Sequence, residues 1–161
     1  MRAATQHGSK VSVRSFTVED AAFVAELSQQ AFAEYAAHPT GYILSVIERP
    51  DTRTWLAVQA GAPVGMVILA LRGIQAAILA VAVSEQARGR GIGGLLMQVA
   101  ERHAQARGVR QLELCTADAN LAALDLFLRR GFRMVRRRPA FYSRRQDACQ
   151  LEKTLAEPAG R

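Results

Sequence analysis

Apolar and polar positions divide the first third of the chain into one strand and two helices. Residues 11–16 alternate between apolar and polar side chains, which is typical of a half-buried strand. Thr17, with Asp20 three residues later, is suited to cap a helix that continues to about Phe32, because apolar residues then recur at spacings of three and four. A second, short helix is expected over Tyr42–Ile47.

The rest of the chain alternates between strand patterns and two longer helices. A turn at residues 60–63 predicts a hairpin, and Gly108 and Gly131 are placed to end the two helices. The predicted strands are Thr54–Gln59, Val64–Leu71, Ala76–Val83, Gln111–Cys115, Phe132–Arg136 and Ala148–Leu155, and the predicted helices are Gly91–Arg107 and Asn120–Arg130. On the first of these helices, the 3.6-residue period places Glu101 on the outward face. The order β-α-α-β-β-β-α-β-α-β-β predicts an α/β fold, in which helices cover a mixed sheet.

Length and composition indicate one domain. The 161 residues suffice for one core, and no stretch rich in Pro, Gly or Ser separates two parts. We expect a flexible tail over residues 1–10, a single domain over 11–155 and a second tail over 156–161. No apolar run reaches the roughly 18 residues that span a bilayer. The polar start of the chain lacks the apolar core of a secretory signal, so a cytoplasmic protein with no membrane partner is expected.

The cysteines and charges narrow the chemistry further. Cys115 follows Leu114, and Cys149 lies two residues before Leu151, so both cysteines are expected to be buried in strands. No metal site is predicted, because no set of His and Cys has the spacing of metal ligands. The net charge is +7, and much of it comes from arginines between Arg129 and Arg145. This stretch could bind nucleic acid, the phosphates of a cofactor or an acidic substrate surface, or it could simply be a solvent-exposed basic face. Since few aromatic residues interleave with it, nucleic acid is the unfavoured partner.

A glycine-rich loop carries the strongest chemical signal. It follows the apolar strand residues 81–83 and runs Arg88-Gly-Arg-Gly-Ile-Gly-Gly94 directly into an apolar helix. Glycine lets a ligand approach the backbone, and the free N–H groups and dipole of a helix start favour an anion. The loop therefore predicts a phosphate or pyrophosphate site. It lacks the Gly-Lys-Ser/Thr of a Walker A loop and the glycine spacing of a Rossmann fingerprint.

A second motif follows in the next predicted helix. Asn120, Ala123, Leu126, Gly131 and Phe132 fit the spacing Asn-x-x-Ala-x-x-Leu-x-x-x-x-Gly-Phe. Asn at a helix start can cap the helix and offer its amide to a ligand, and Ala one turn later leaves room for a thin chain. With the Arg-Gly-x-Gly-x-Gly loop, this motif resembles the signatures of the GNAT superfamily of acetyl-CoA-dependent N-acetyltransferases. The resemblance covers nearly the whole chain and is strongest over residues 78–132.

The resemblance implies a fold, a co-substrate and a cofactor site. The fold is a central mixed, mostly antiparallel sheet of about six or seven strands flanked by about four helices. The co-substrate is acetyl-CoA, the acceptor is an amine, no metal takes part, and the protein is a monomer or a homodimer. The residues expected to bind the cofactor are Val81, Ala82, Val83, Arg88, Gly89, Arg90, Gly91, Ile92, Gly93, Gly94, Asn120, Ala123 and Phe127.

The proton-transfer residues are less clear from the sequence. Much of the family has a tyrosine where this chain has Phe127, which has no proton to give to a departing thiolate, and Tyr142 is the nearest replacement. Glu113 is the candidate base, because it lies opposite in parity to Leu112 and Leu114. Weaker candidates for the base are Glu34, His38 and Asp118, while His103 and Cys115 are not expected to be catalytic.

Two other functions remain open at this point. Phe127 and the lack of an obvious base are compatible with a module that binds coenzyme A or an acyl-CoA without turnover. The arginine stretch is compatible with a nucleic-acid-associated protein, whose binding would fall steeply with salt. The sequence does not identify the acceptor amine, although a basic surface favours neutral or acidic acceptors over polycations.

Overall fold

The computed structural model describes residues 9–32, 42–142 and 146–158. Within these ranges, seven strands form one sheet in the order β1-β2-β3-β4-β5-β7-β6, and four helices accompany them. The strands are β1 (Val11–Ser15), β2 (Thr52–Gln59), β3 (Ala62–Arg72), β4 (Gln75–Val83), β5 (Gln111–Ala117), β6 (Arg133–Arg138) and β7 (Ala148–Thr154). The helices are α1 (Ala21–Phe32), α2 (Tyr42–Ile47), α3 (Ile92–Ala106) and α4 (Leu121–Arg129).

The sheet is antiparallel at every junction except one. β4 and β5 run parallel, and they are joined through the crossover helix α3. The mixed, mostly antiparallel sheet with four helices confirms the fold predicted from the sequence. The predicted strand and helix limits agree with those of the structure to within two residues, except that residues 18–20 form a 3₁₀ turn ahead of α1.

Each face of the sheet carries its own core. One core lies beneath α3 and α4 and contains Leu96, Leu112 and Phe127, whereas the other lies beneath α1 and α2 and contains Val24 and Leu56. Burial of apolar side chains on both faces explains why β3 and β4 read as nearly continuous apolar runs in the sequence.

A β-bulge in β4 changes which face its side chains meet. Ile78 opposes Leu69 and Ala80 opposes Ile68, so Leu79 is the extra residue. Before the bulge, Ile78 packs into the core beneath α3, and after it Ala80 packs into the core beneath α1 and α2. Leu79 itself is 36% exposed. The bulge therefore re-aims the second half of β4.

Glu101 on α3 corrects the sequence-based expectation. It is 8% exposed instead of facing solvent. Its carboxylate accepts hydrogen bonds from Arg130 at 2.8 Å and from Lys153 at 3.2 Å. Helical periodicity placed a charged residue outward because it cannot foresee that α4 and β7 supply partners for it. The three side chains tie α3, α4 and β7 together.

Candidate active site

The two parallel strands separate soon after they meet. β4 pairs with β5 only where Gln75–Ala77 faces Gln111–Glu113. Farther along, β4 continues to Val83 and β5 to Ala117, each still paired with its other neighbour. Within the described residues, the edge of β4 that faces β5 therefore has no strand partner after Ala77. This leaves a gap between the strands that opens toward their carboxyl ends.

The glycine loop lies at the carboxyl end of β4, as the sequence predicted. Gly89 and Gly91 have φ of +75° and +79°, a left-handed conformation that favours glycine, and Gly91 is the N-cap of α3. Arg88 ties the loop to the strand, because its Nε donates to the carbonyl of Val83 at 3.0 Å. The first N–H groups of α3 have no partner within the helix. A glycine loop with free N–H groups at a helix start is the arrangement that favours an anion.

Gly93 and Gly94 have other roles in the same loop. A Cβ on Gly93 would lie 3.2 Å from Cδ2 of Leu126, so this glycine permits close packing of α3 on α4. A Cβ on Gly94 would meet only an Arg130 nitrogen at 4.0 Å. Gly89 and Gly91 are thus needed for the turn, whereas Gly93 is needed for packing.

The second motif is built as its sequence predicts at the helix cap. The side-chain oxygen of Asn120 accepts a hydrogen bond from the N–H of Ala123 at 3.2 Å, which caps α4. Phe127 is 4% exposed and its ring meets Phe132 edge-on, with 6.0 Å between centroids. Gly131 follows Arg130, the C-cap of α4, and adopts a φ of +89°.

A cavity of about 840 Å³ lies between the separated strands, α1, α2 and the segment after β6. Its walls include Glu113, Asn120 and Tyr142, so the structure brings both candidate catalytic residues and one candidate cofactor residue to one cavity. The glycine loop is not part of these walls. The loop and the cavity therefore define two adjoining parts of the site, and the unpaired portion of β4 joins them.

Glu113 lies on the cavity face of β5. Its neighbours Leu112 and Leu114 are buried in the core, which confirms the parity expected from the sequence. The side chain is 41% exposed, and its carboxylate lies 3.6 Å from the guanidinium of Arg72 on β3. A carboxylate that is open to the cavity and only loosely paired can accept a proton from a bound amine.

Cys115 corrects the expectation that both cysteines are buried. Cys149 is buried, but Cys115 is exposed and lines the cavity beside Glu113. Partial burial raises the pKa of the Cys115 thiol, which disfavours the reactive thiolate. The neighbouring Leu114 suggested a buried position, but Cys115 is on the side of β5 that faces the cavity instead of a packed helix.

Tyr142 lies in the segment after β6, and its backbone N–H donates to the carbonyl of Gln146 at 3.0 Å. Burial, followed by the influence of Cys115 and Cys149, raises the pKa of its phenol to about 12. The phenol therefore keeps its proton at neutral pH and can act as a hydrogen-bond donor in the cavity.

The weaker candidates for the base are placed elsewhere or occupied. Asp118 pairs with Arg137 at 2.5 Å. His103 packs edge-on against Trp55 with 5.0 Å between centroids, on the opposite side of the sheet from the cavity, and burial lowers its pKa. Glu34 and His38 lie outside the described residues.

Several arginines of the basic stretch have internal partners. Arg129 pairs with Asp125, Arg130 with Glu101, and Arg137 with both Asp118 and Asp147. These pairs balance part of the positive charge that the sequence concentrates here. The charge available to an external polyanion is therefore smaller than the sequence count suggests.

The comparisons with known proteins agree with this arrangement. The model of the acetyltransferase (GNAT) family matches residues 20–132, so the chain belongs to this family. No curated protein sequence matches the chain. No helix within the described ranges has both the length and the apolar character needed to span a bilayer.

Solved structures of acetyltransferases share the fold. The ribosomal-protein-S18-alanine N-acetyltransferase of Escherichia coli is 20% identical, with a TM-score of 0.81 over 94% of this chain and 97% of its own. Ard1 of Thermoplasma volcanium is 23% identical, with a TM-score of 0.83 over 91% and 99%. Arabidopsis thaliana NAA60, in its complex with acetyl-CoA, is 19% identical, with a TM-score of 0.81 over 91% and 99%.

Two features of the site were missed by the sequence reasoning. Gly65 on β3 lies so close to α3 that an added Cβ would be 3.0 Å from the carbonyl oxygen of Ala82 and 3.1 Å from Cδ1 of Leu96. A glycine within a strand pattern is the signal that points to such a close approach. Arg138 lines the cavity, whereas the sequence showed it only as one arginine among many.

Proposed function

We propose that the protein transfers the acetyl group of acetyl-CoA directly to the nitrogen of an amine. The observation that carries this proposal is the gap between β4 and β5, with an anion-binding loop at the end of β4 and a cavity lined by Glu113 and Tyr142 beside it. A gap of this kind accepts a thin, extended chain between the two strands, and membership of the acetyltransferase (GNAT) family supports the same reading.

The cofactor residues fall into three groups by role. The backbone of Arg88 to Gly94 offers N–H groups and positive charge to the pyrophosphate of coenzyme A. The unpaired edge of β4, ending at Val81 to Val83, offers backbone hydrogen bonds to an extended pantetheine chain. Asn120 and Ala123 border the other side, where Asn120 supplies an amide and Ala123 leaves space. Phe127 is 4% exposed and lies in the core against which Ala123 packs.

The reaction requires a neutral amine and a stabilised oxygen. The amine nitrogen forms a bond to the carbonyl carbon of the thioester, the carbon–sulfur bond breaks, and its electron pair leaves with sulfur. Glu113 accepts the proton that the amine loses. A backbone N–H of β4, at Val83 or a neighbour, stabilises the negative charge on the carbonyl oxygen. Tyr142 donates to the departing sulfur, in the role that Phe127 cannot fill.

Two glycines at opposite ends of α3 give a matched test of the loop. Gly91 and Gly108 both have φ of +79°, and an added Cβ at either position meets nothing within 4 Å. Alanine therefore introduces the same backbone strain at both, about 1 kcal/mol. Only Gly91→Ala places a methyl group at the anion-binding loop, and we expect it to weaken acetyl-CoA binding about tenfold or more.

Calorimetric titration with acetyl-CoA is the measurement. We expect saturable 1:1 binding by the unchanged protein and by the control variant Gly108→Ala. Both should release free thiol when a suitable amine is added. Dephospho-CoA keeps the pyrophosphate and should still bind. Equal binding by both alanine variants would remove the loop from the cofactor site. Tight binding with no thiol release over a broad amine panel would favour the non-catalytic module.

A further inference from the structure

Among the described residues, the cavity beside β5 carries one charge that no ion pair balances. The charged side chains among its described lining residues are Arg72, Glu113 and Arg138. Arg72 and Glu113 face each other at 3.6 Å and balance each other. Arg138 forms no ion pair with any carboxylate of the described residues. The described lining residues thus give the cavity a positive charge on its Arg138 side.

The Arg138 guanidinium is held in place by two uncharged neighbours. Its Nε donates to Oε1 of Gln150 on the adjacent strand β7 at 3.1 Å. The guanidinium carbon lies 5.4 Å from the centroid of the Phe141 ring, a cation–π contact. Since these contacts use Nε and one face of the group, the two terminal nitrogens remain for a ligand. A fixed guanidinium suits a carboxylate, which it can bind through two parallel hydrogen bonds.

The other walls of the cavity are largely apolar. Phe32 on α1, Ile43 on α2, Leu79 at the bulge of β4 and Phe141 all line it. An apolar body fits against these side chains, and a positive group is disfavoured near Arg138. A polyamine therefore matches this cavity poorly.

We propose that the acetyl acceptor is a small amine that also carries a carboxylate and an apolar side chain, and that Arg138 binds the carboxylate. This inference rests on the proposed acetyl transfer and names the substrate class of the same site. The carboxylate takes no part in making or breaking bonds. It fixes the orientation of the amine, so Arg138 determines specificity while Glu113 takes the proton.

Matched amines test the proposal. Phenylalanine and leucine are compared with phenylalaninamide and leucinamide, which lack the carboxylate but keep the amine and the side chain. The readout is the ratio of kcat/KM for acid over amide. The same acid and amide are used with every protein variant. Their different basicity therefore cancels when the ratios of two variants are compared. We expect Arg138→Gln to lower this ratio about tenfold or more, since it removes a charge-assisted hydrogen-bonded pair.

Two further variants control for charge and for folding. Arg138→Lys keeps the charge but not the paired geometry and should retain part of the preference. Arg133→Gln removes the same charge from an exposed position of β6 and should leave the ratio unchanged. Acetyl-CoA binding is measured for every variant, and unchanged binding shows that the fold and the cofactor site are intact.

The outcomes separate the two proposals. If acetyl-CoA binds but Arg138→Gln leaves the acid-to-amide ratio as it was, the acceptor proposal is overturned and the acetyl-transfer proposal stands. If the unchanged protein neither binds acetyl-CoA nor releases thiol, the acetyl-transfer proposal fails and the acceptor proposal falls with it. If it binds acetyl-CoA but acetylates neither compound of a pair, binding of N-acetylphenylalanine against its amide decides, and equal binding overturns the acceptor proposal.

A peptide arm identifies the source of the carboxylate. An amidated Asp-Phe dipeptide offers an amine and a side-chain carboxylate without a free carboxyl end. One outcome is that the protein prefers this dipeptide to the free amino acids and loses that preference in Arg138→Gln. That result would overturn the proposal of a small-molecule acceptor and would indicate an acidic peptide terminus instead.

Discussion

Among the described residues that line the cavity, Glu113 is the one with an acidic side chain. Its proposed role as the base can be tested by replacing its carboxylate alone. We expect Glu113→Gln to lower kcat/KM about 100-fold, because the amine then loses its proton to water. Acetyl-CoA binding should be unchanged, and raising the pH should restore part of the rate as more of the amine becomes neutral. Thiol release measured across pH checks this.

Glu152 provides the matched control for that variant. It lies directly opposite Glu113 on β7 and accepts a hydrogen bond from Gln111 at 2.6 Å, but it does not line the cavity. Glu152→Gln should retain the rate of the unchanged protein. A Glu113→Gln variant that is as active as this control would assign proton removal to another group or to water.

Asp20 links the stability of the fold to pH. Its carboxylate accepts hydrogen bonds from Arg14 at 2.7 Å and from the Thr17 N–H at 2.8 Å, and these partners lower its pKa from 3.8 to about 2. A lowered folded-state pKa contributes stability above about pH 4, and that contribution is lost as the pH falls toward 2. Because Arg14 is partly exposed to solvent, we expect Asp20→Asn to cost about 1 kcal/mol at pH 7.

Urea unfolding at several pH values measures this linkage. The difference between Asp20→Asn and the unchanged protein should shrink as the pH falls from 4 to 2. Asp51→Asn is the comparison. Its pair with Arg49 is more open to solvent than Asp20 is, so its effect should be smaller. A difference for Asp20→Asn that stays constant down to pH 2 would show that the carboxylate charge is not the source of the stability.

Among the elements, the contact of α3 with the sheet depends on a glycine. A Cβ at Gly65 would meet a backbone carbonyl oxygen of β4 at 3.0 Å, and backbone atoms cannot move aside as a side-chain end can. We expect Gly65→Ala to destabilise the fold by about 1–3 kcal/mol through this overpacking. Gly94→Ala, on the facing helix, has room and should stabilise by about 0.5–1 kcal/mol. Denaturant unfolding of the ligand-free variants compares the two, and effects of equal sign would contradict the packing argument.

The elements themselves were largely predictable, but their arrangement was not. Alternation and 3.6-residue periods located β1 and α3, and Gly108 and Gly131 marked the helix ends because a left-handed residue is needed there. The gap between β4 and β5 was not readable from either strand, since it depends on which partners each strand finds after Ala77. The bulge at Leu79 was not predictable either. Both halves of β4 are apolar, so the sequence does not mark the residue at which the strand changes face.

At the scale of the whole molecule, residues far apart in sequence form the site. Arg72, Glu113 and Arg138 come from three strands, and the sequence could indicate only Glu113, through its parity against two leucines. The glycine loop was predictable because its residues lie in one continuous segment of the chain. The charge pattern of the cavity was not predictable, because Arg72 pairs with Glu113 while Arg138 has no ion-pair partner among the described residues.

Acetyl-CoA bound in the gap would connect α3, β4, β5 and α4, and so should stabilise the whole fold. A ligand that binds only the folded state at 100 times its Kd adds about 2.7 kcal/mol, which raises the Tm of a domain of this size by about 5–10 °C. Differential scanning fluorimetry with increasing acetyl-CoA measures the shift. Gly108→Ala should begin at a lower Tm and show the full shift, whereas Gly91→Ala should begin equally low and show little. A shift of the same size in both variants would place the ligand away from the loop, since the two share the same strain and differ only in the end of α3 that they change.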